Sequence, residues 1–293
     1  MLNSTDDLAA PCPAPPGASG QPQQEQIERY LNDVHSGILP GCVMDRLDHG
    51  RLSARFFRYR LGSRFQPVIS ARRMTEVIGH RASLAISDGD NPAPGSTELY
   101  DIALAGRQAS KLEMLELTLH QLNYFSNAPT HYQLFLALNG TGYGNSDSLI
   151  YLLLEQLHSF GWSPRRTVIE LPGDGRSGRD KLLRTAARFH EAGFAISAEL
   201  PDSIVSFTHI AGKLRPDIVS IDSRRHSKDT RLHEAVAAAH GAGARALVHH
   251  VGDLRVEQRA IEAGADWLRG GAIAPASNHI APGVLPPFPW FQG

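Results

Sequence analysis

From residue 65 onward the chain alternates two hydrophobic periods. Short runs rich in Val, Ile, Leu and Phe predict strands at 65–70, 77–86, 131–139, 167–171, 194–200, 217–222, 244–251 and 267–270. Between them, apolar residues recur every three or four positions. They predict helices at 97–125, 146–160 and 181–192, in the segment up to about 214, and at 231–240 and 254–263. Strands joined through helices become parallel neighbours. The first two are joined only by a short link at Ala71-Arg72-Arg73, which predicts an antiparallel pair. Eight strands with helices between them fit a closed (β/α)8-type barrel, with the antiparallel start as a departure from the regular fold.

The centre of this pattern, 167–222, carries an acid near the end of each of its three strands: Glu170, Glu199 and Asp222. Parallel strands place those ends on one rim, where α/β folds build their sites. Three carboxylates there suit a metal or acid–base site, or are ordinary polar strand ends.

Composition narrows the function. The 293 residues carry a formal net charge of -1, so no global field draws the chain to DNA or to a membrane surface. Cys12 and Cys42 form neither a disulfide framework nor a CxxC pair, which fits a reducing cytoplasm. No signal-peptide pattern or spanning apolar run is present. Residues 1–24 are a Pro/Gly/Gln-rich tract with too little apolar content to pack. Residues 25–51 form a short helical extension, with Ile27, Tyr30, Leu31 and Val34 at helical spacing. The barrel domain is expected over 52–281, and the Pro- and aromatic-rich tail 282–293 is expected to pack across its surface. Arg51, Arg55, Arg58, Arg60 and Arg64, interleaved with Phe56, Phe57 and Tyr59, have the composition of a nucleic-acid patch. With a neutral total they read better as a solvated face of a strand or helix. Gly173-Asp174-Gly175-Arg176-Ser177-Gly178 is a literal GxGxxG between strand and helix, with Glu199 downstream. Pro172 before its first glycine and the negative Asp174 argue against a pyrophosphate site and for a Gly-rich βα loop.

Over about 52–275, the order and register of segments resemble the EAL domain of bacterial cyclic di-GMP signalling. Phe65-Gln66-Pro67-Val68-Ile69 resembles the opening YQPI strand. Residues 77–84 stand where the family has VxGYEALL, and Leu136-Ala137-Leu138-Asn139 resembles VNLS. Val168-Ile169-Glu170-Leu171 resembles LExTE, Ile218-Val219-Ser220-Ile221-Asp222 resembles LKID, and 264–270 resembles GxDxxQG. The resemblance implies an EAL-type modified TIM barrel with an antiparallel first strand. It also implies descent from phosphodiesterases that linearise cyclic di-GMP with two Mg²⁺ or Mn²⁺ ions.

Carried over position by position, most of that equipment is replaced. Asn139 and Glu170 remain as pocket remnants with Glu199 and Asp222, but Arg81 stands at the signature Glu and Gly173 at the second acid of LExTE. In the DDFGTGYSSL loop, Glu199 and Leu200 replace the two Asp, and apolar Ile204, Val205 and Phe207 follow. Ser220 replaces the strand Lys, His249 a metal-binding Glu and Arg269 the late Gln. The resemblance therefore implies a degenerate, non-catalytic protein that regulates through protein–protein contacts with a partner the chain does not identify. The alternatives are a non-hydrolysing cyclic di-GMP receptor with phosphate contacts at Arg81 and Arg269, and an active hydrolase with altered metal ligands. Only the hydrolase requires Mg²⁺ or Mn²⁺. A homodimer of the family type is compatible with each. Arg81 is expected to pair with Glu170 or Glu199 in place of a metal. His249 and His250 are transition-metal ligand types, but as consecutive strand residues they are expected to point opposite ways, so no metal is assigned to them.

Overall fold

In a strand with one face inside a barrel, every second side chain shares the interior. Val168, Ile218, Leu247 and Trp267 pack together with Val68 and Phe135 in one compact cluster drawn from six strands. Two residues further along their strands stand Glu170, Ser220, His249, Arg269 and Ala137. The same parity that builds an apolar floor thus delivers polar groups to the opposite, C-terminal end.

The structure is a computed structural model. It describes residues 43–46, 51–139, 146–172 and 178–281, together with positions 27, 29, 30, 283 and 285. Its barrel comprises β3 (Tyr59–Ser70), β4 (Val77–Ser87), β5 (Gln133–Ala137), β6 (Thr167–Leu171), β7 (Ala195–Glu199), β8 (Ile218–Asp222), β9 (Arg245–His249) and β10 (Trp267–Arg269). Pairing runs in chain order from β4 to β10 in parallel. β3 closes the barrel between β4 and β10, antiparallel to both. The eight strands expected from the sequence are these eight.

Two further strands lie outside those eight. β1 (Val43–Arg46) lies within the stretch read as purely helical, and β2 (Leu52–Phe56) forms a hairpin with the first residues of β3. The Arg-rich segment is this hairpin, which turns at Phe57 in the left-handed region (φ 53). Arg55 pairs with Asp45 and Arg58 with Asp88, and the outward side chains form the solvated face anticipated for them. Ile27 and Tyr30 are helical and buried, as their spacing suggests, while Leu31, Val34 and most of the expected N-terminal helix lie outside the described residues. So do residues 1–24 and Gly173 to Ser177 of the GxGxxG stretch.

The helices are α1 (Ser96–Ala105), α2 (Ala109–Phe125), α3 (Ser146–Ser159), α4 (Arg179–Glu191), α5 (Ile204–Leu214), α6 (Asp229–Gly241) and α7 (Leu254–Glu262). The single helix expected over 97–125 is broken, because Arg107 takes a left-handed conformation (φ 55) after Gly106 caps α1. The break lets α1 fold back on α2. Both then bury Leu99, Leu112, Leu115 and Leu119 against β2 and the start of β3 in a second core, separate from the main one between barrel and helices.

After β10 the chain runs back across β3 and β4. Phe65 and Ser277 exchange backbone hydrogen bonds, Val77 N donates to Gly283 O, and Leu285 N donates to Thr75 O. Gly283 and the buried Leu285 are the described part of the expected packing tail. The turn into this return path is tight. A Cβ on Gly270 would lie 2.1 Å from the carbonyl oxygen of Val251, backbone that cannot rotate away. Gly270→Ala is expected to lower stability by at least about 1–3 kcal/mol, as overpacking does. An unchanged urea midpoint for this variant would show that the turn has room.

Candidate functional site

The C-terminal end of the barrel opens into a cavity of about 460 Å³. Arg81, Asn139, Glu170, Glu199, Ser220, Asp222, His249 and Arg269 all line it, so β4 to β10 bring together eight of the ten positions singled out in the sequence. Gly173 lies outside the described residues, and Leu200 is fully buried in the main core, because the residue after β7 faces the helices.

At the centre stands Glu170. Arg81 Nε donates to its Oε2 at 2.9 Å, and Arg269 NH1 donates to its Oε1 at 2.7 Å. The side chains of Glu170 and Arg269 are 13% and 9% exposed, whereas Arg81 is 34% exposed. Burial pushes the Glu170 carboxyl up, but the attraction of Arg269 and Arg81 outweighs it and holds the group at about 2. Burial also pulls both guanidinium pKa values down. Glu170, Glu116 and Glu199 more than offset this at Arg81, while at Arg269 burial prevails. Both arginines are charged at neutral pH.

Asn139 is held from behind. Its backbone N donates to Glu113 Oε1 at 2.8 Å, and its side-chain Nδ2 donates to Glu116 Oε2 at 3.2 Å. Tyr100 OH also donates to Glu116 Oε2, at 2.6 Å. Sequence reading missed these acids because they lie inside a helix, α2, whose acidic pair is read as solvated until α1 folds over it. At the inner wall, Ser220 and Ser197 hydroxyls share a 2.6 Å hydrogen bond. Glu199 faces Arg225 at 3.9 Å.

Asp222 accepts from Arg224 three times: from its backbone N and Nε on Oδ1, and from NH2 on Oδ2 at 2.7 Å. These bonds hold its carboxyl below the usual range although burial opposes them. Arg224 and Arg225 follow β8 directly and were not singled out. The run Ser223-Arg224-Arg225 just past a barrel strand's end was the available signal.

The two histidines correct the sequence reading. They were expected to diverge, but β9 ends at His249 and His250 takes the left-handed conformation (φ 59). That turn breaks the alternation and swings both rings to the same side. Their Nδ1 atoms lie 2.8 Å apart, and His250 Nδ1 is 3.3 Å from Asp222 Oδ1.

The loop from 200 to 207 is divided. Leu200 and Phe207 are buried, Ser203 caps α5 by accepting from Ser206 N, and Val205 is 67% exposed. Ile204 is half-buried and packs against the main core, so of the apolar residues in this loop Val205 is the one that faces solvent.

The donor set does not fit Mg²⁺ or Mn²⁺. A hard ion needs several carboxylate or carbonyl oxygens. Both oxygens of Glu170 are taken by the guanidinium groups of Arg81 and Arg269, and Asn139 is turned to Glu116. The lining instead combines four arginines (Arg81, Arg224, Arg225, Arg269) with three acids (Glu170, Glu199, Asp222). Among the described residues no helix is long and apolar enough to cross a membrane.

No family model matches the sequence, and no curated protein matches it. The fold, however, is similar to solved EAL-domain structures. The Xanthomonas citri FimX EAL domain in complex with c-di-GMP superposes with a TM-score of 0.64 at 16% identity, over 88% of this chain and 96% of that one. The FimX EAL domain from Pseudomonas aeruginosa, bound to c-di-GMP, gives 0.62 at 16% identity over 75% and 91%. The Bacillus subtilis YkuI protein, with an EAL domain and in complex with substrate c-di-GMP and calcium, gives 0.59 at 17% identity; 76% of this chain matches 56% of that one. At such identities the likeness establishes the fold, a closed barrel of EAL type.

Proposed function

We propose that this chain is a degenerate EAL-type protein of cyclic di-GMP signalling. It binds the dinucleotide at the barrel mouth without hydrolysing it and acts through protein contacts. The observation that carries this reading is the pair of guanidinium groups on Glu170. They supply the positive charge that a metal-dependent hydrolase obtains from its ions, and they occupy the oxygens those ions would need. A mouth with one more cationic than anionic side chain suits a dianionic diester, and the c-di-GMP bound to the similar FimX domains supports the choice of ligand. Arg225, half-exposed and only loosely paired, is the arginine best able to meet a phosphate.

Titration calorimetry with cyclic di-GMP, with and without Mn²⁺, is expected to show saturable binding that does not depend on the metal. Arg225→Glu is expected to weaken it about tenfold or more, the cost of losing a charge-assisted hydrogen bond. Linear pGpG formed in the presence of Mn²⁺, or no binding at all, would overturn the proposal.

A further inference from the structure

We infer that Asp222, His249 and His250 form a site for a borderline transition-metal ion of the Zn²⁺ or Co²⁺ kind, on the β8–β9 side of the barrel mouth. The inference goes beyond the proposed ligand reading and does not depend on it. Among the described residues this is the one group of three His, Cys, Asp or Glu side chains whose ligating atoms converge, all lying within 4.8 Å of one another. Convergence has a specific cause. The left-handed turn at His250 brings its ring beside that of His249, with centroids 4.5 Å apart, where an extended strand would have separated them.

The chemistry suits such an ion. Two imidazole nitrogens and one carboxylate select Zn²⁺, Co²⁺ or Ni²⁺ over Mg²⁺, which prefers oxygen alone. An imidazole must be unprotonated to ligate. Two neutral rings 2.8 Å apart share a single proton between facing Nδ1 atoms; moving it to an Nε2 frees both lone pairs for one ion. The remaining coordination positions face the cavity, since all three ligands line it. One competitor must leave, the Arg224 guanidinium on Asp222. Its side chain is 66% exposed and free to swing into water, while the Arg224 backbone N–H can stay on Oδ1. Arg81 and Arg269 are not disturbed, because they bind Glu170.

The test is titration of the tag-free, chelator-stripped full chain with Co²⁺, read by its visible d–d absorption, with no nucleotide present. One equivalent is expected to bind with a nitrogen-rich spectrum, to be displaced by Zn²⁺ and to be indifferent to Mg²⁺. His250→Ala, at a half-exposed position that leaves the core intact, is expected to weaken binding at least a hundredfold. Arg224→Ala removes the competitor and is expected to tighten it several-fold, which surface histidines elsewhere would not reproduce. Uptake that is substoichiometric, unaffected by His250→Ala or weakened by Arg224→Ala would overturn the site. A failure of cyclic di-GMP to bind would leave this result as it stands.

Discussion

Glu170→Ala is expected to destabilise the protein by about 3–5 kcal/mol, the cost of breaking a buried ion pair by removing one partner. The loss comes less from the missing attraction than from what is left behind. Arg269, 9% exposed, would keep a charge without the acceptor its NH1 now uses, and Arg81 would lose the carboxylate its Nε donates to. Arg81→Ala is expected to cost less, about 1–2 kcal/mol, because a third of its side chain meets water and Arg269 still neutralises Glu170. Urea unfolding of the two variants checks both the size and the order. If Glu170→Ala costs no more than about 1 kcal/mol, the triad is solvated and does not hold the mouth. Acid offers a second view of the same group. A carboxyl depressed from 4.5 to about 2 contributes stability that is complete above 4.5 and lost as pH falls toward 2.

A second large effect is expected at His80, at higher pH. This ring is fully buried. Nε2 accepts from Ala281 N at 3.1 Å, so Nδ1 carries the proton and donates to Tyr124 OH at 3.0 Å, which itself donates to Gln133 O. Neutral imidazole satisfies each bond; imidazolium would turn a donor toward the Ala281 N–H. Burial lowers the group from 6.5 to about 4. Because the folded value lies below the unfolded one, the unfolded chain binds the proton first. The contribution is complete above 6.5 and is lost as pH falls toward 4, by about 3 kcal/mol over the interval. Stability measured by urea across that interval should fall in the native chain, and His80→Gln should flatten the slope. Equal slopes in the two proteins would place the acid sensitivity elsewhere. His80 joins β4 to the chain returning after β10, so its protonation is expected to loosen that return path first.

The wider functional reading follows from charge placement. A fold whose similar solved domains carry c-di-GMP has, in this chain, guanidinium groups on its central acid, and those groups change what the mouth can hold. In the loop from 200 to 207 the exposed large apolar residue is Val205, so any protein contact made there is small in apolar area.

How far the chain could be read before folding differs between barrel and site. The eight barrel strands, their order and the inverted first strand follow from local pattern: period-two or fully apolar runs separated by helical spacing, with one link too short for a crossover. That information is local because each strand must bury its own side chains whatever its neighbours are. The gathering of Arg81, Glu170 and Arg269 at one rim follows from the same parity once the barrel closes. Three features were not accessible in this way. The break at Arg107 and the hairpin strands β1 and β2 depend on a second core to which α1, α2, Ile27 and Tyr30 each bring only a part. The burial of Glu113 and Glu116 behind Asn139 depends on that same folding back of α1. The meeting of His249 with His250 rests on a single left-handed residue, and the next residue, Val251, is held by backbone hydrogen bonds to Arg269 and Ala272 of a distant segment. Periodicity is a property of one segment and is written in it; a partner from a distant segment, or a φ imposed by closure, exists only when the segments have been brought together.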